Sequence, residues 1–262
     1  MSQLLNAIAN RWADVKRKKY LSKSNRFIQQ YLQENGILDI IKHVDEVSGS
    51  TGVNYEDYVS LHSYIRKHQP RYILECGTGK STWVIAHAVK KNFEETGIKA
   101  TIVSMEDKKL WYDEAIRNLP QEYKPFVEIV FSPAVLYCYS MFRGTAYASI
   151  PDHPYDLIFV DGPDPEFEEN GICFDTLNMD LIRYVQQASK PVTAIVDYRL
   201  KTVIAYSLIF GKHKTNFLKP WNVGILENIT KNDLNIERKD FETLISQVKI
   251  SSHFAFANPS WI

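Results

Sequence analysis

A glycine-rich turn follows a short apolar segment and leads directly into a helical pattern at residues 75–82, which read Glu-Cys-Gly-Thr-Gly-Lys-Ser-Thr. Gly77 and Gly79 have no side chain, so the backbone of such a turn can approach a ligand closely. The helix that follows would offer free backbone N–H groups and the positive end of its dipole to an anionic group. The segment is therefore a candidate site for a negatively charged ligand group.

Acidic or hydroxyl side chains stand directly after four further apolar segments of the chain. They are, in order, Glu106 with Asp107, then Ser132, Asp161 and Asp197. The carboxyl ends of parallel strands meet at one edge of a sheet, where ligands of open α/β folds bind. We therefore expect these side chains to lie near the glycine turn.

The segments that would position these residues alternate between strand and helix patterns. Apolar runs about 25 to 35 residues apart predict strands at 72–76, 101–105, 127–131, 157–160 and 192–196. Helices are predicted between and after them, at 81–93, 111–119, 134–142, 176–188 and 203–210. This alternation is typical of βαβ units and a parallel sheet. Shorter strands are predicted at 216–218, 223–226 and 252–256.

The first fifty residues have a different pattern, which predicts a helical extension. Apolar residues recur at three- to four-residue steps in 4–20 and again in 27–32, and the second helix should end at Asn35-Gly36. A loop at 48–52 follows, and then a third helix for which Asn54 is the candidate N-cap, with Asp57 three residues later. We divide the chain into an extension at 1–52 and an α/β domain at 53–262.

Lysine and arginine residues concentrate at positions 16–19, on one face of the first predicted helix. A basic amphipathic helix can lie on an anionic membrane, so weak peripheral contact through residues 1–20 stays open. Its apolar face could instead pack on the α/β domain or on a second copy in a homo-oligomer.

Composition excludes several classes of protein. Lys plus Arg and Asp plus Glu are 31 each, and this zero net charge argues against a broadly basic nucleic-acid-binding protein. No apolar run reaches the roughly 18 residues of a membrane span. The three cysteines form no C-x-x-C pair, which argues against a disulfide framework or a structural zinc site. A cytoplasmic protein is expected.

Three interpretations of the glycine turn compete. Gly79-Lys80-Ser81 is similar to the end of a phosphate-binding P-loop, as in an NTPase or kinase, but the glycine that motif needs five positions earlier is Leu74. A dinucleotide-binding turn would need a third glycine where Thr82 stands. The third interpretation accounts for the strand-end residues as well.

Glu-x-Gly-x-Gly-x-Ser, followed by acids after the second, fourth and fifth strands, resembles the motif order of the class I S-adenosylmethionine-dependent methyltransferases. The resemblance covers residues 55–262. It implies a doubly wound, seven-stranded, mostly parallel α/β sheet with one antiparallel strand near its C-terminal end. A member that has lost catalysis and serves as a binding module is a further alternative.

The resemblance also implies roles for individual residues. The methionine part of S-adenosylmethionine would be held by Glu75, Gly77, Thr78, Gly79 and Ser81. Glu106 would bind the ribose hydroxyls. Asp107 and Ser132 would flank the adenine, and Asp161 would lie below the sulfonium and face the substrate.

The expected reaction is methyl transfer to an oxygen of a small molecule, such as a sugar or a secondary metabolite, with Asp161 and Asp197 as catalytic residues. Catechol-type enzymes of this family bind a divalent metal through a strand-four acid, a strand-five acid and the Asn after it. Asp161 and Asp197 match the first two ligands, but the third position is Tyr198. Asp164 could complete a magnesium site, so metal dependence stays open.

Overall fold

The computed structural model of the chain describes residues 22–49, 52, 54–169, 171–219, 221–234 and 250–251. Its helices are α1 (22–34), α2 (Ile37–Val47), α3 (Tyr55–His68), α4 (Lys80–Thr96), α5 (Lys109–Asn118), α6 (Asp180–Gln187) and α7 (Leu200–Phe210). Its strands are β1 (Tyr72–Cys76), β2 (Thr101–Glu106), β3 (Val127–Phe131), β4 (Ala134–Tyr139), β5 (Phe142–Tyr147), β6 (Leu157–Val160), β7 (Glu166–Glu169), β8 (Ile172–Asp175), β9 (Leu177–Asn178), β10 (Val192–Val196), β11 (Thr215–Leu218), β12 (Val223–Ile229) and β13 (Ile250–Ser251).

The central sheet confirms the predicted fold class. Its strand order is β13-β11-β12-β10-β6-β1-β2-β3. Strands β3, β2, β1, β6 and β10 are parallel to one another, whereas β12 runs antiparallel between β10 and β11. The two residues of β13 extend the edge beyond the seven expected strands. The order reverses between β1 and β6, the point at which open α/β sheets bind their ligands.

Helices cover both faces of the sheet because its central strands are apolar at consecutive positions. Ile73 of β1 packs in one core with α3 and α4, while the next residue, Leu74, packs in a second core with α6 and α7. All four residues of β6 and all five of β10 are buried. Strands buried on both faces read as continuous apolar runs, which is why the sequence located them well.

The helix predicted at 134–142 was wrong. This segment forms β4, which pairs with β5 as an antiparallel hairpin in the register Ala134 to Tyr147. Short apolar runs do not distinguish strand from helix by periodicity alone, and residues 134–139 include the β-formers Val135, Tyr137 and Tyr139. Their burial also varies along the strand as expected for a partly solvated edge sheet.

Two further segments contain strands that the sequence did not predict. The acidic loop after Asp161 contains the antiparallel hairpin of β7 and β8. The helix predicted at 176–188 begins only at Asp180, since residues 177 and 178 pair with β5 as β9.

The helices before residue 53 pack into the apolar core on one face of the sheet. Ile28 and Leu32 of α1, with Ile37 and Ile41 of α2, belong to the same core as Ile73. α1 ends before Gly36, which has a left-handed φ of 71°, as the Asn35-Gly36 pair predicted. Asn54 is the N-cap residue of α3, but its side chain makes no capping hydrogen bond. These helices therefore form one wall of the domain.

Two predicted elements, the helix at 4–20 and the strand at 252–256, lie outside the described residues. Within the described ranges, no helix combines the length and apolar character needed to cross a bilayer.

We expect Leu32→Ala to lower the free energy of unfolding by about 2–5 kcal/mol, because it removes a fully buried side chain that joins α1 to the core. Leu110→Ala, at a side chain 70% exposed on α5, is the control and should change it by less than about 0.5 kcal/mol. Urea unfolding followed by circular dichroism measures both. Equal, small effects would show that α1 does not contribute to the core.

Candidate functional site

The turn after β1 and the turn after β6 approach each other closely. Gly77 has a φ of 100°, a region that favours glycine, and a Cβ placed on it would lie 3.1 Å from the backbone N of Gly162. A Cβ on Gly162 would in turn lie 2.8 Å from the Cα of Gly77. The two glycines allow the segments after β1 and β6 to meet at the carboxyl edge of the sheet.

Glu75, the last but one residue of β1, is fully buried beneath this turn. Its Oε1 accepts a hydrogen bond from Ser81 Oγ at 2.6 Å, and its Oε2 accepts bonds from Thr82 Oγ1 and Ser104 Oγ at 2.6 Å each. Burial raises the pKa of Glu75 to about 7, although the three hydroxyls partly oppose that shift. The carboxylate therefore links β1, β2 and the first turn of α4.

The glycine turn and the acid that ends β2 meet directly. Thr78 Oγ1 donates a hydrogen bond to Glu106 Oε2 at 2.7 Å, and the Lys108 backbone N–H donates to Glu106 Oε1 at 2.9 Å. In the same turn, the backbone N–H of Gly79 donates to Thr82 Oγ1 at 3.1 Å. One contact thus joins two of the positions that the sequence singled out.

A cleft of about 690 Å³ opens at this edge of the sheet. Of the residues expected at the site, it is bordered by Thr78, Gly79, Ser81, Glu106 and Asp161. The other expected residues are not among those that line it: Glu75, Gly77, Asp107, Ser132 and Asp197. Ser132 is buried, and its Oγ accepts a hydrogen bond from the Ser149 backbone N–H at 3.0 Å. Asp107 is half-buried, which raises its pKa.

Asp161 and Asp197 form a linked pair of carboxyl groups. They hydrogen-bond to each other, and Arg199 Nε lies 3.1 Å from Asp197 Oδ1 and Arg199 Nη2 lies 4.0 Å from Asp161 Oδ1. Surrounding protein atoms and the charge of Asp197 hold the pKa of Asp161 well above its usual range. The Asp161 side chain nevertheless keeps 42% of its exposure and faces the cleft. Asp161 is therefore the member of the pair that a ligand can reach.

The residues around this pair do not fit a magnesium ion. The guanidinium of Arg199 already supplies a positive charge to both carboxyl groups and donates further hydrogen bonds to the backbone oxygens of Pro163 and Asp161. Asp164 is paired with Lys108 Nζ at 2.6 Å, and Tyr198 has a 62% exposed side chain rather than an amide oxygen. Among the described residues, no cluster of three or more histidine, cysteine or carboxylate side chains could hold a metal ion.

Lys80, the lysine of the P-loop-like segment, serves another purpose. Its side chain is buried, and its Nζ lies 2.5 Å from Asp45 Oδ1 on α2. A P-loop lysine must instead be available to the phosphates of a nucleotide. The ion pair ties the N-terminal helices to the start of α4, and the P-loop interpretation is not favoured.

The sequence did not identify several residues that line the cleft. Asp57 and Tyr58 reach it from α3, Trp111 from α5, and Tyr198 from the segment after β10. The sequence marks Asp57 only as an acid three residues after the N-cap Asn54. No sequence signal identifies Asp57 as a cleft residue, because the packing of α3 against the carboxyl edge of the sheet is a tertiary feature.

Replacement of Glu75 by Gln should alter how stability depends on pH. A carboxyl group whose pKa rises from 4.5 to about 7 on folding binds its proton more tightly in the folded state, so wild-type stability falls as the pH rises between these values. Gln does not titrate. The free energy of unfolding of Glu75→Gln relative to wild type should therefore increase by up to about 3 kcal/mol between pH 4.5 and 7.5.

Urea unfolding at several pH values tests this expectation. Glu128→Gln, at an exposed position of β3, is the matched control and should show no such change with pH. A difference between Glu75→Gln and wild type that stays constant with pH would contradict the assignment of a raised pKa to Glu75.

Comparison with known proteins finds similarity only at the level of solved structures, since no protein-family model and no curated protein sequence matches the chain. The O-methyltransferase TomG from Streptomyces achromogenes, in complex with SAM, is 18% identical with a TM-score of 0.39, over 64% of this chain and 67% of that one. An O-methyltransferase from Bacillus cereus, in complex with SAH, is 14% identical with a TM-score of 0.38, over 68% of each chain.

A putative class I S-adenosylmethionine-dependent methyltransferase from Listeria monocytogenes is 11% identical with a TM-score of 0.46, over 88% of this chain and 74% of that one. The chain's own sheet has the seven mostly parallel strands, with antiparallel β12 near the C-terminal end, that the resemblance implied. The chain therefore has the doubly wound, mostly parallel α/β sheet that the sequence predicted.

Proposed function

We propose that the protein transfers a methyl group from S-adenosylmethionine to an oxygen of a small molecule. The observation that carries this proposal is the hydrogen bond between Thr78 and Glu106, which unites the glycine turn with the acid ending β2 at the mouth of the cleft. An acid at that position suits a ribose diol, and a glycine turn before a helix suits a carboxylate. The site for the ribose of the cofactor would thus lie next to the site for its amino-acid part.

The chain's residues would divide the cofactor between them. Glu106 accepts hydrogen bonds from the ribose hydroxyls, while Asp107 and Ser132 lie beside the adenine at the ends of β2 and β3. Gly77, Thr78, Gly79 and Ser81 present the turn and the start of α4 to the methionine carboxylate. Glu75 acts from below, because its carboxylate fixes Ser81 and Thr82 instead of contacting the ligand.

The bound cofactor supplies an electrophilic methyl group on a sulfonium. In the in-line displacement, the acceptor oxygen forms a bond to the methyl carbon, the carbon–sulfur bond breaks, and the hydroxyl proton must leave. We assign the acceptance of that proton to the ionised form of Asp161, which the neighbouring positive charge of Arg199 favours. Asp197 and Arg199 hold Asp161 in position.

Titration with S-adenosylhomocysteine tests the cofactor assignment. Isothermal titration calorimetry should show binding to the wild type, and Glu106→Gln should weaken it about tenfold or more, since a charge-assisted hydrogen bond contributes about 1.5–3 kcal/mol. Glu128→Gln, an exposed acid on β3, is the matched control and should leave affinity unchanged. A folded wild type that does not bind at millimolar concentration would contradict the proposal.

Asp161→Asn should reduce methyl transfer by about 10²-fold or more, because it removes the proton acceptor. The affinity for S-adenosylhomocysteine should stay within a few fold of wild type, because the cofactor contacts remain. The assay follows the labelled methyl group from S-adenosylmethionine into a library of phenols and sugars. Asp39→Asn, on the exposed face of α2, is the control. Undiminished transfer by Asp161→Asn would remove Asp161 from the reaction, and wild-type binding without any transfer would favour a non-catalytic binding module.

A further inference from the structure

One acidic residue of the cleft, Asp57 in the first turn of α3, has no role in the proposal so far. We propose that Asp57 binds the ammonium group of the amino-acid part of the cofactor. This inference rests on the proposed use of S-adenosylmethionine and adds to it a recognition residue from α3. It also answers a question that the burial of Glu75 raises, namely which acid remains available for that ammonium.

One carboxylate oxygen of Asp57 is buried without a hydrogen-bond donor from the described residues. Asp57 is only 4% exposed, it borders the cleft, and its Oδ1 has no hydrogen-bond partner among the described residues. The fully buried Glu75 has both carboxylate oxygens occupied by hydroxyls, and Asp197 is held by Arg199. A buried polar atom without a partner is costly, so a ligand that donates to Asp57 would be stabilised there.

Acidic side chains outnumber basic ones around Asp57. Three acids influence one another electrostatically at this end of the cleft, Asp57, Asp161 and Asp197, and Glu56 adds to their field. Arg199 is the cation that pairs with Asp161 and Asp197. Burial and the neighbouring charges of Asp197 and Glu56 keep the pKa of Asp57 well above its usual range. A bound ammonium would offset this surplus of negative charge and favour ionised Asp57.

Asp57 and the glycine turn border the same cleft. The same cleft is bordered by Thr78 and Gly79 at the start of α4 and by Asp57 at the start of α3. An α-amino acid carries its carboxylate and its ammonium on one carbon atom. The start of α4 can therefore take the carboxylate while Asp57 takes the ammonium.

Calorimetric titration with two probes tests this inference. S-adenosylhomocysteine has the ammonium, whereas 5′-methylthioadenosine retains the adenosine and sulfur but lacks the whole amino-acid part. Asp57→Asn should weaken S-adenosylhomocysteine at least tenfold and leave 5′-methylthioadenosine within about twofold. Removal of the Asp57 charge would reduce its repulsion of the ligand carboxylate and so strengthen binding at that group. Weaker binding of S-adenosylhomocysteine would therefore reflect a lost contact with the ammonium. Asp57→Ser, a smaller replacement, should give the same pattern.

Asp39→Asn, which changes an exposed acid of α2 outside the cleft lining, is the control and should leave both affinities unchanged. Unchanged binding of S-adenosylhomocysteine to both Asp57 variants, or equal loss for both probes in variants with a wild-type melting temperature, would overturn the role of Asp57. A wild type that binds neither probe would instead overturn the proposed function, so the two failures are distinguishable.

Discussion

The buried carboxylate of Glu75 accepts three hydroxyl hydrogen bonds, and the geometry of the cleft depends on them. Ser81 and Thr82 belong to the first turn of α4, and Ser104 belongs to β2, so one side chain fixes a helix and a neighbouring strand relative to β1. Thr82 also accepts a hydrogen bond from the Gly79 backbone. With the turn fixed in this way, Thr78 can reach Glu106 across the edge of the sheet. A buried acid can perform this task because its partners satisfy both of its oxygens.

Charge is arranged around the cleft with internal partners. Arg199 serves the pair formed by Asp161 and Asp197, and Lys80 pairs with Asp45 of the N-terminal helices. The two ion pairs explain why neither a magnesium site nor a P-loop describes this edge of the sheet. The ion pair of Lys80 also joins α2 to the start of α4, and α2 itself borders the cleft through Val44.

Sequence patterns predicted the central strands because these are buried on both faces and read as continuous apolar runs, as β6 and β10 do. They failed for β4, a short edge segment whose apolar residues fit either period. At the site, the glycine turn and Glu106 could be located because their positions follow from strand order. The burial of Glu75, the cation supplied by Arg199 and the unpartnered oxygen of Asp57 depend on tertiary packing, which residue spacing does not encode.

A crystal structure of the protein with S-adenosylhomocysteine tests directly whether the turn fixed by Glu75 binds the cofactor. We expect the ribose hydroxyls within hydrogen-bond distance of Glu106 and the amino-acid part of the ligand against Gly77–Gly79, with Glu75 still bonded to its three hydroxyls. Ligand bound elsewhere on the chain, or a cleft that stays empty at saturating ligand, would contradict it.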